Sequence, residues 1–98
     1  MYARMNTSHW NPEQREHGLK LTSETIIPSY AKQPGYRGYV LLLEPDGDKG
    51  IAITLWDTEE DREASRSVAL EMTSELRGVL LERPLTEDYE VIAHFPEP

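Results

Sequence analysis

An α+β fold of order βαββαβ is predicted for this chain of 98 residues. Three observations predict it. Four stretches read as strands by alternation or by short apolar runs. Two stretches between them carry apolar residues at helical spacings of three and four. Turn chemistry falls at the junctions, as Asn11-Pro12, Pro34-Gly35 and Asp46-Gly47. The length allows one domain over residues 1–98 and no second core.

Tyr2 to His9 alternates Ala3, Met5, Thr7 and His9 with Tyr2, Arg4, Asn6 and Ser8, the signature of a first strand. Asn11 can cap a helix and Pro12 fits its first position, so a helix starts there. Leu19, Ser23, Ile26, Ile27 and Tyr30 define its apolar face. Pro28 lacks an amide and crowds the carbonyl of Glu24, which predicts a kink or an end beside it. Tyr36 to Glu44 and Ile51 to Trp56 are two apolar runs joined by an Asp-Gly turn, a hairpin. Thr58 to Asp61 resembles a capping box. After it, Ser65, Val68, Ala69, Met72, Leu76 and Val79 outline a helix of about five turns, with Pro84 as its stop. Tyr89 to Phe95 is read as the last strand, and Phe95 to Pro98 as a tail. This order is the ferredoxin-like arrangement, a four-stranded antiparallel sheet with two helices on one face.

Charge narrows the partners. Residues 1–56 carry six acidic and six basic side chains, whereas residues 57–98 carry twelve acidic and four basic, so the whole net of −8 lies in the second part. Nucleic-acid binding needs a basic stripe, and an anionic membrane surface repels the same acidic half. No apolar window is long enough to span a bilayer. With no cysteine, a disulfide framework, a thiolate nucleophile and a zinc–thiolate site are excluded; the cytoplasm is the default location.

Val40 to Leu43, Ile51 to Ile53 and Val91 to Ala93 are apolar in both phases of the pleat. A half-solvated antiparallel sheet should alternate, so both faces are expected to be covered. Two helices cover one. A second copy of the sheet covers the other, which predicts a homodimer through the sheet face.

Ile26-Ile27-Pro28, Pro34-Gly35-Tyr36-Arg37-Gly38 and Ile53-Thr54-Leu55-Trp56-Asp57-Thr58-Glu59-Glu60-Asp61 resemble the antibiotic biosynthesis monooxygenase family, over nearly the whole chain from Tyr2 to Phe95. The resemblance implies a dimeric α/β barrel. It also implies a range of activities: cofactor-free oxidation of anthrone-like polyketides or quinols in some members, haem degradation in others. The haem degraders use an Asn on the first strand with a Trp and a His on the second helix. Here residues 59–78 hold neither Trp nor His, so haem degradation is not expected. Ala3 and Met5, the apolar phase, are expected to face the helices and the family's cavity, which would turn Asn6 into the dimer barrel.

Five residues are the candidates for a site. Asn6 and His94 are candidate catalytic groups, one to orient a substrate and one to move a proton near neutral pH. Arg4, Tyr39 and Trp56 are candidate ligand contacts. Arg4 is a charge on a central strand that needs a partner, either in an ion pair at the dimer interface or as an anchor for a phenolate or carboxylate. Tyr2, Tyr30, Tyr36, Tyr39 and Tyr89 suit a dimer interface or an aromatic-binding cavity. Trp56 packs between sheet and second helix or stacks on a ligand, and Trp10 staples the corner after the first strand. His9 and His94 are read as two partly exposed strand-end histidines, with a meeting through neighbouring strands, as a metal-binding or proton-shuttling pair, as the alternative. His9, His17 and His94 show no metal-like spacing, so neither a metal nor a cofactor is expected. The function expected is a homodimer that binds a small aromatic ligand or acts as a scaffold, with a cofactor-independent monooxygenase acting on a phenolic or polycyclic aromatic compound as the alternative.

Overall fold

Alternation gives strand β1 (Tyr2–His9) its predicted bounds. The computed structural model describes residues 1–96, so Glu97-Pro98 of the expected tail lie outside the described residues. Strands β2 (Tyr36–Leu43) and β3 (Lys49–Trp56) form the hairpin, and β4 (Leu85–Glu90) completes one antiparallel sheet in the order β2-β3-β1-β4. The last strand thus lies earlier than expected. Its register runs from Leu85 opposite Thr7 to Glu90 opposite Tyr2, and Val91 N–H donates to the Met1 carbonyl. The apolar run Val91 to Ala93 that suggested a strand begins at that last bond, outside the β4 ladder, and Ile92 is exposed.

Helix α1 covers residues 12–31 in four joined pieces: a 3-10 turn (Pro12–Gln14), α-helix (Arg15–Leu21), a π-helical stretch (Thr22–Ile26) and α-helix again (Ile27–Ala31). Asn11 caps it, its side chain accepting from Glu13 N–H at 3.1 Å. Pro28 does not end it. The turn before Pro28 is widened, with Ile27 N–H donating to Thr22 O across five residues, and the wider turn accommodates the bond that proline cannot make. The buried face is Gly18, Thr22, Ile26 and Tyr30; Leu19 and Ser23, expected on it, point outward. A Cβ on Gly18 would lie 2.7 Å from Val79 Cγ1 and overlap the Trp10 ring. Glycine lets α1 approach that corner, so the true stripe is less apolar than the sequence suggests.

The second helical element comprises α2 (Glu59–Ala64) and α3 (Arg66–Glu75). Thr58 caps α2, its hydroxyl accepting from Asp61 N–H at 3.0 Å. Ser65 separates the two pieces, its hydroxyl donating to the Arg62 carbonyl at 2.6 Å, a local bond that competes with helix continuation. The stop is Gly78, at φ 87°, rather than Pro84. A left-handed glycine ends the turn, and Val79 and Leu80 amides return to the Leu76 carbonyl.

Polarity across the sheet is the reverse of expectation. Arg4, Asn6 and Ser8 share the helix-facing side with Thr54, Trp56 and Tyr39. Ala3 and Met5 turn away from the helices, on the same side as Ile53, Leu55 and Val40. Val40 is 42% exposed and Leu42 50%, with Leu85 and Tyr89 also exposed there. The core between sheet and helices centres on Ile26, Tyr30, Trp56 and Met72.

Candidate functional site

The elements that build the core leave a small cavity inside it. Asn6, Tyr39 and Thr54 rise from the sheet; Ile26 and Tyr30 of α1 and Met72 of α3 close over them. Its volume is about 40 Å³, room for a water or two and far below that of a preformed ligand pocket. It does not end there. A groove of about 520 Å³ along α3 shares Thr73, Leu76, Leu80 and Pro84 with the cavity. A cleft of about 100 Å³, bounded by Arg4 and Arg66, shares Asn6, Ala69 and Thr73 with it.

Burial pushes the Tyr30 phenol up to about 12, against a smaller opposing effect of Arg4. Burial also raises Tyr39, with Tyr30 and Tyr36 adding to it. Both are neutral at physiological pH and can offer hydrogen bonds but no proton-accepting phenolate. Among the described residues, no Asp, Glu, His or Lys lines the cavity. Asn6 Oδ1 accepts from Thr86 Oγ1 at 2.7 Å, which leaves its NH2 group to donate.

Beside the cavity stands an ion cluster. Arg4, only 2% exposed, donates from Nε to Asp88 Oδ1 at 2.9 Å and from Nη1 to Ser65 Oγ at 3.2 Å. Arg62 donates to the Tyr89 carbonyl at 3.0 Å, and its guanidinium carbon stands 5.5 Å from the centroid of the Tyr2 ring. Arg66 reaches Glu63 at 3.1 Å and Asp88 at 3.7 Å. The Arg66 guanidinium holds the Glu63 carboxyl below the usual range. Arg4 is therefore partnered on the helix side of the sheet and not at an interface on the open side.

The five candidates separate. Asn6 and Tyr39 line the cavity, and Arg4 bounds the adjoining cleft. Asn6 faces the helices, contrary to expectation, because β1 presents its polar phase inward. Trp56 is 0% exposed, donates from Nε1 to Thr54 Oγ1 at 2.9 Å, and sits edge-on to Tyr30 and Tyr36; it is not among the cavity-lining residues. His94 is exposed beyond β4 and bonded to the Pro96 carbonyl. His9 and His94 do not meet, because β1 and β4 are antiparallel: His94 follows the end paired with Tyr2, while His9 ends β1 at the other side. His9 instead contacts Asp48 at 3.0 Å and Glu82 at 3.7 Å. Among the described residues no group of three or more His, Cys, Asp or Glu is placed to hold a metal, and no helix is long and apolar enough to cross a membrane. Arg66 was not among the candidates; its one sequence signal is that it is among the few cations of an acidic half.

The family model for antibiotic biosynthesis monooxygenase matches residues 1–69. The chain belongs to that family. Solved structures agree at the level of fold. A protein from Nitrosomonas europaea assigned to the antibiotic biosynthesis monooxygenases has a TM-score of 0.77 at 17% identity, over 95% of this chain and 100% of that one. The ActVA-Orf6 monooxygenase of Streptomyces coelicolor, solved with nanaomycin D, has a TM-score of 0.74 at 14% identity, over 98% and 92%. A substituted MhuD with two manganese protoporphyrin IX per active site has a TM-score of 0.76 at 14% identity, over 99% and 100%. No curated protein matches the sequence. Among the described residues, the cavity wall of this family member has no imidazole or thiolate.

Proposed function

We propose that this antibiotic biosynthesis monooxygenase family member is a homodimer, joined through the open face of the sheet, that binds a small ligand between sheet and helices of each protomer. The observation that carries the dimer is the reversed polarity: Val40, Leu42, Leu85 and Tyr89 stand exposed on the side without helices. Covering each half-exposed side chain is worth ~1 kcal/mol by area, and a second copy presents the same surface about a two-fold axis. Binding rather than turnover is favoured because no cavity-lining residue is a base near neutral pH.

Cofactor-independent oxidation of a phenolic or polycyclic aromatic compound is the second reading, favoured by the position of Asn6 and Tyr39 on the cavity wall. It requires a substrate acidic enough to ionise without a protein base, its anion held by donors such as the Asn6 amide. Two measurements test these readings. Sedimentation equilibrium at micromolar concentration should give twice the protomer mass; a folded monomer would refute the dimer. Oxygen uptake with an anthrone or a dihydroxynaphthalene should not exceed the buffer rate. Uptake that survives a chelator and drops ~10²-fold in Asn6→Ala would establish the oxygenase instead.

A further inference from the structure

The chain carries 18 acidic residues and a net charge of −8. Yet, among the described residues, no Asp or Glu lines the cavity, the groove along α3 or the adjoining cleft. Arginine does. Arg4 and Arg66 bound the cleft, and Arg77 and Arg83 bound the groove. Residues 57–98 contain four basic side chains; three of them line these adjoining spaces, and the fourth, Arg62, lies in the ion cluster with Arg4 and Arg66. A random scatter on so acidic a surface would have put carboxylates there as well.

A second observation concerns the cluster itself. Arg4, Arg62 and Arg66 share two carboxylates, Glu63 and Asp88, each within 4.0 Å of all three. A third, Glu59, reaches Arg62 alone, at 3.9 Å. Arg4 Nη2 and Arg62 Nε are buried without a hydrogen-bond partner. Buried guanidinium N–H groups are costly to leave unpaired. Arg4 lines the cleft, and the donors that the cleft offers an anion are Arg66 and the Asn6 amide, the Thr73 and Thr86 hydroxyls being committed to the Ala69 carbonyl and to Asn6 Oδ1.

We propose that the ligand is an organic carboxylate, its apolar body in the groove along α3 and its acid group in the cleft between Arg4 and Arg66. This rests on the ligand-binding reading above and names the class of ligand. Leu70, Leu76, Leu80 and Pro84 give the groove an apolar wall for the body. A guanidinium fork matches a carboxylate with two parallel bonds, and Arg66, exposed at the rim, would exchange its surface pairing with Glu63 for the ligand's acid group. Arg77 and Arg83 draw anions towards the groove of a molecule that otherwise repels them.

Calorimetric titration of the intact protein with 2-naphthoate and with its neutral counterpart 2-naphthylmethanol tests this. Naphthoate should bind at least ~10-fold more tightly. The advantage should shrink as salt rises to about 0.5 M. Arg66→Gln should abolish it while naphthylmethanol still binds, which a folding defect would not allow. Equal affinities for the two compounds would overturn the carboxylate proposal and leave ligand binding standing. Binding of neither would overturn the ligand-binding reading, and this proposal with it. A preference that persists in Arg66→Gln but disappears in Arg77→Gln with Arg83→Gln would refute the placement of the acid group.

Discussion

Gly18 occupies a helix interior, where alanine is ordinarily better by ~1 kcal/mol. Its neighbours reverse that sign. A methyl there would meet Val79 Cγ1 at 2.7 Å and the Trp10 ring, and Trp10 and Val79 are both buried. Forcing a carbon into such packing costs ~1–3 kcal/mol. With the propensity gain set against that cost, Gly18→Ala should lower stability by up to about 2 kcal/mol, read as a lower urea midpoint at unchanged slope. A midpoint equal to or above the parent's would show that α1 does not seat against Trp10 as described. Nothing in the sequence distinguishes this glycine from a helix interruption, because the space it leaves is filled by residues 8 positions before it and 61 after it.

At the scale of elements, the end of β1, the hairpin turn and the segment after α3 are tied together at His9. Its Nδ1 meets Asp48 of the turn and its Nε2 faces Glu82, while Leu81 N–H donates to the His9 carbonyl at 2.8 Å. The hydrogen bond that the His9 imidazolium donates to Asp48 raises the His9 pKa above 6.5, opposed by desolvation, helped by the charges of Asp48 and Glu82 and opposed by Lys49. A group whose folded pKa is raised adds stability that is fully present below its unfolded value and lost as pH rises through the folded one. Parent and His9→Asn should therefore differ more in melting temperature at about pH 5.5 than at about pH 8.5. An equal gap at both would show that the imidazolium adds nothing. Local rules found most elements: the alternation of β1, the Asn11 and Thr58 caps and the hairpin turn. They failed for β4. Leu85 to Glu90 is too polar to read as a strand, whereas Val91 to Ala93 is apolar yet lies beyond the ladder. Pairing with β1, and not composition, decides where that strand runs.

For the whole molecule, the sequence marked β2 and β3 as apolar in both phases but not which phase met the helices, and the third such run, Val91 to Ala93, is not a strand. Ala3 and Met5 suggested an inward apolar face; buried Arg4, paired with the exposed Glu63 and Asp88, and the polar cavity wall belong to the other phase, which faces inward. Half of the candidate site was legible, since Asn6 and Tyr39 were singled out by type. The ion cluster was not, because its members lie up to 84 positions apart. The reversal also relocates the test of assembly. Leu41 lines the cavity, whereas Leu42 faces the open side at 50% exposure. Leu42→Lys should convert the dimer to a monomer with unchanged far-ultraviolet circular dichroism, since a lysine costs little on an exposed surface and several kcal/mol, roughly, in a closed apolar one. A dimer of undiminished affinity would place the contact elsewhere. The alternation of β1 has a further consequence, for the tolerance of this strand to insertions and deletions. Removing one residue within Tyr2–His9 would exchange its two faces, sending an arginine and an asparagine out of the ion cluster and cavity and methionine and alanine in. The turn between Leu43 and Lys49, which carries no such two-sided pattern, is where length can vary between descendants of this chain.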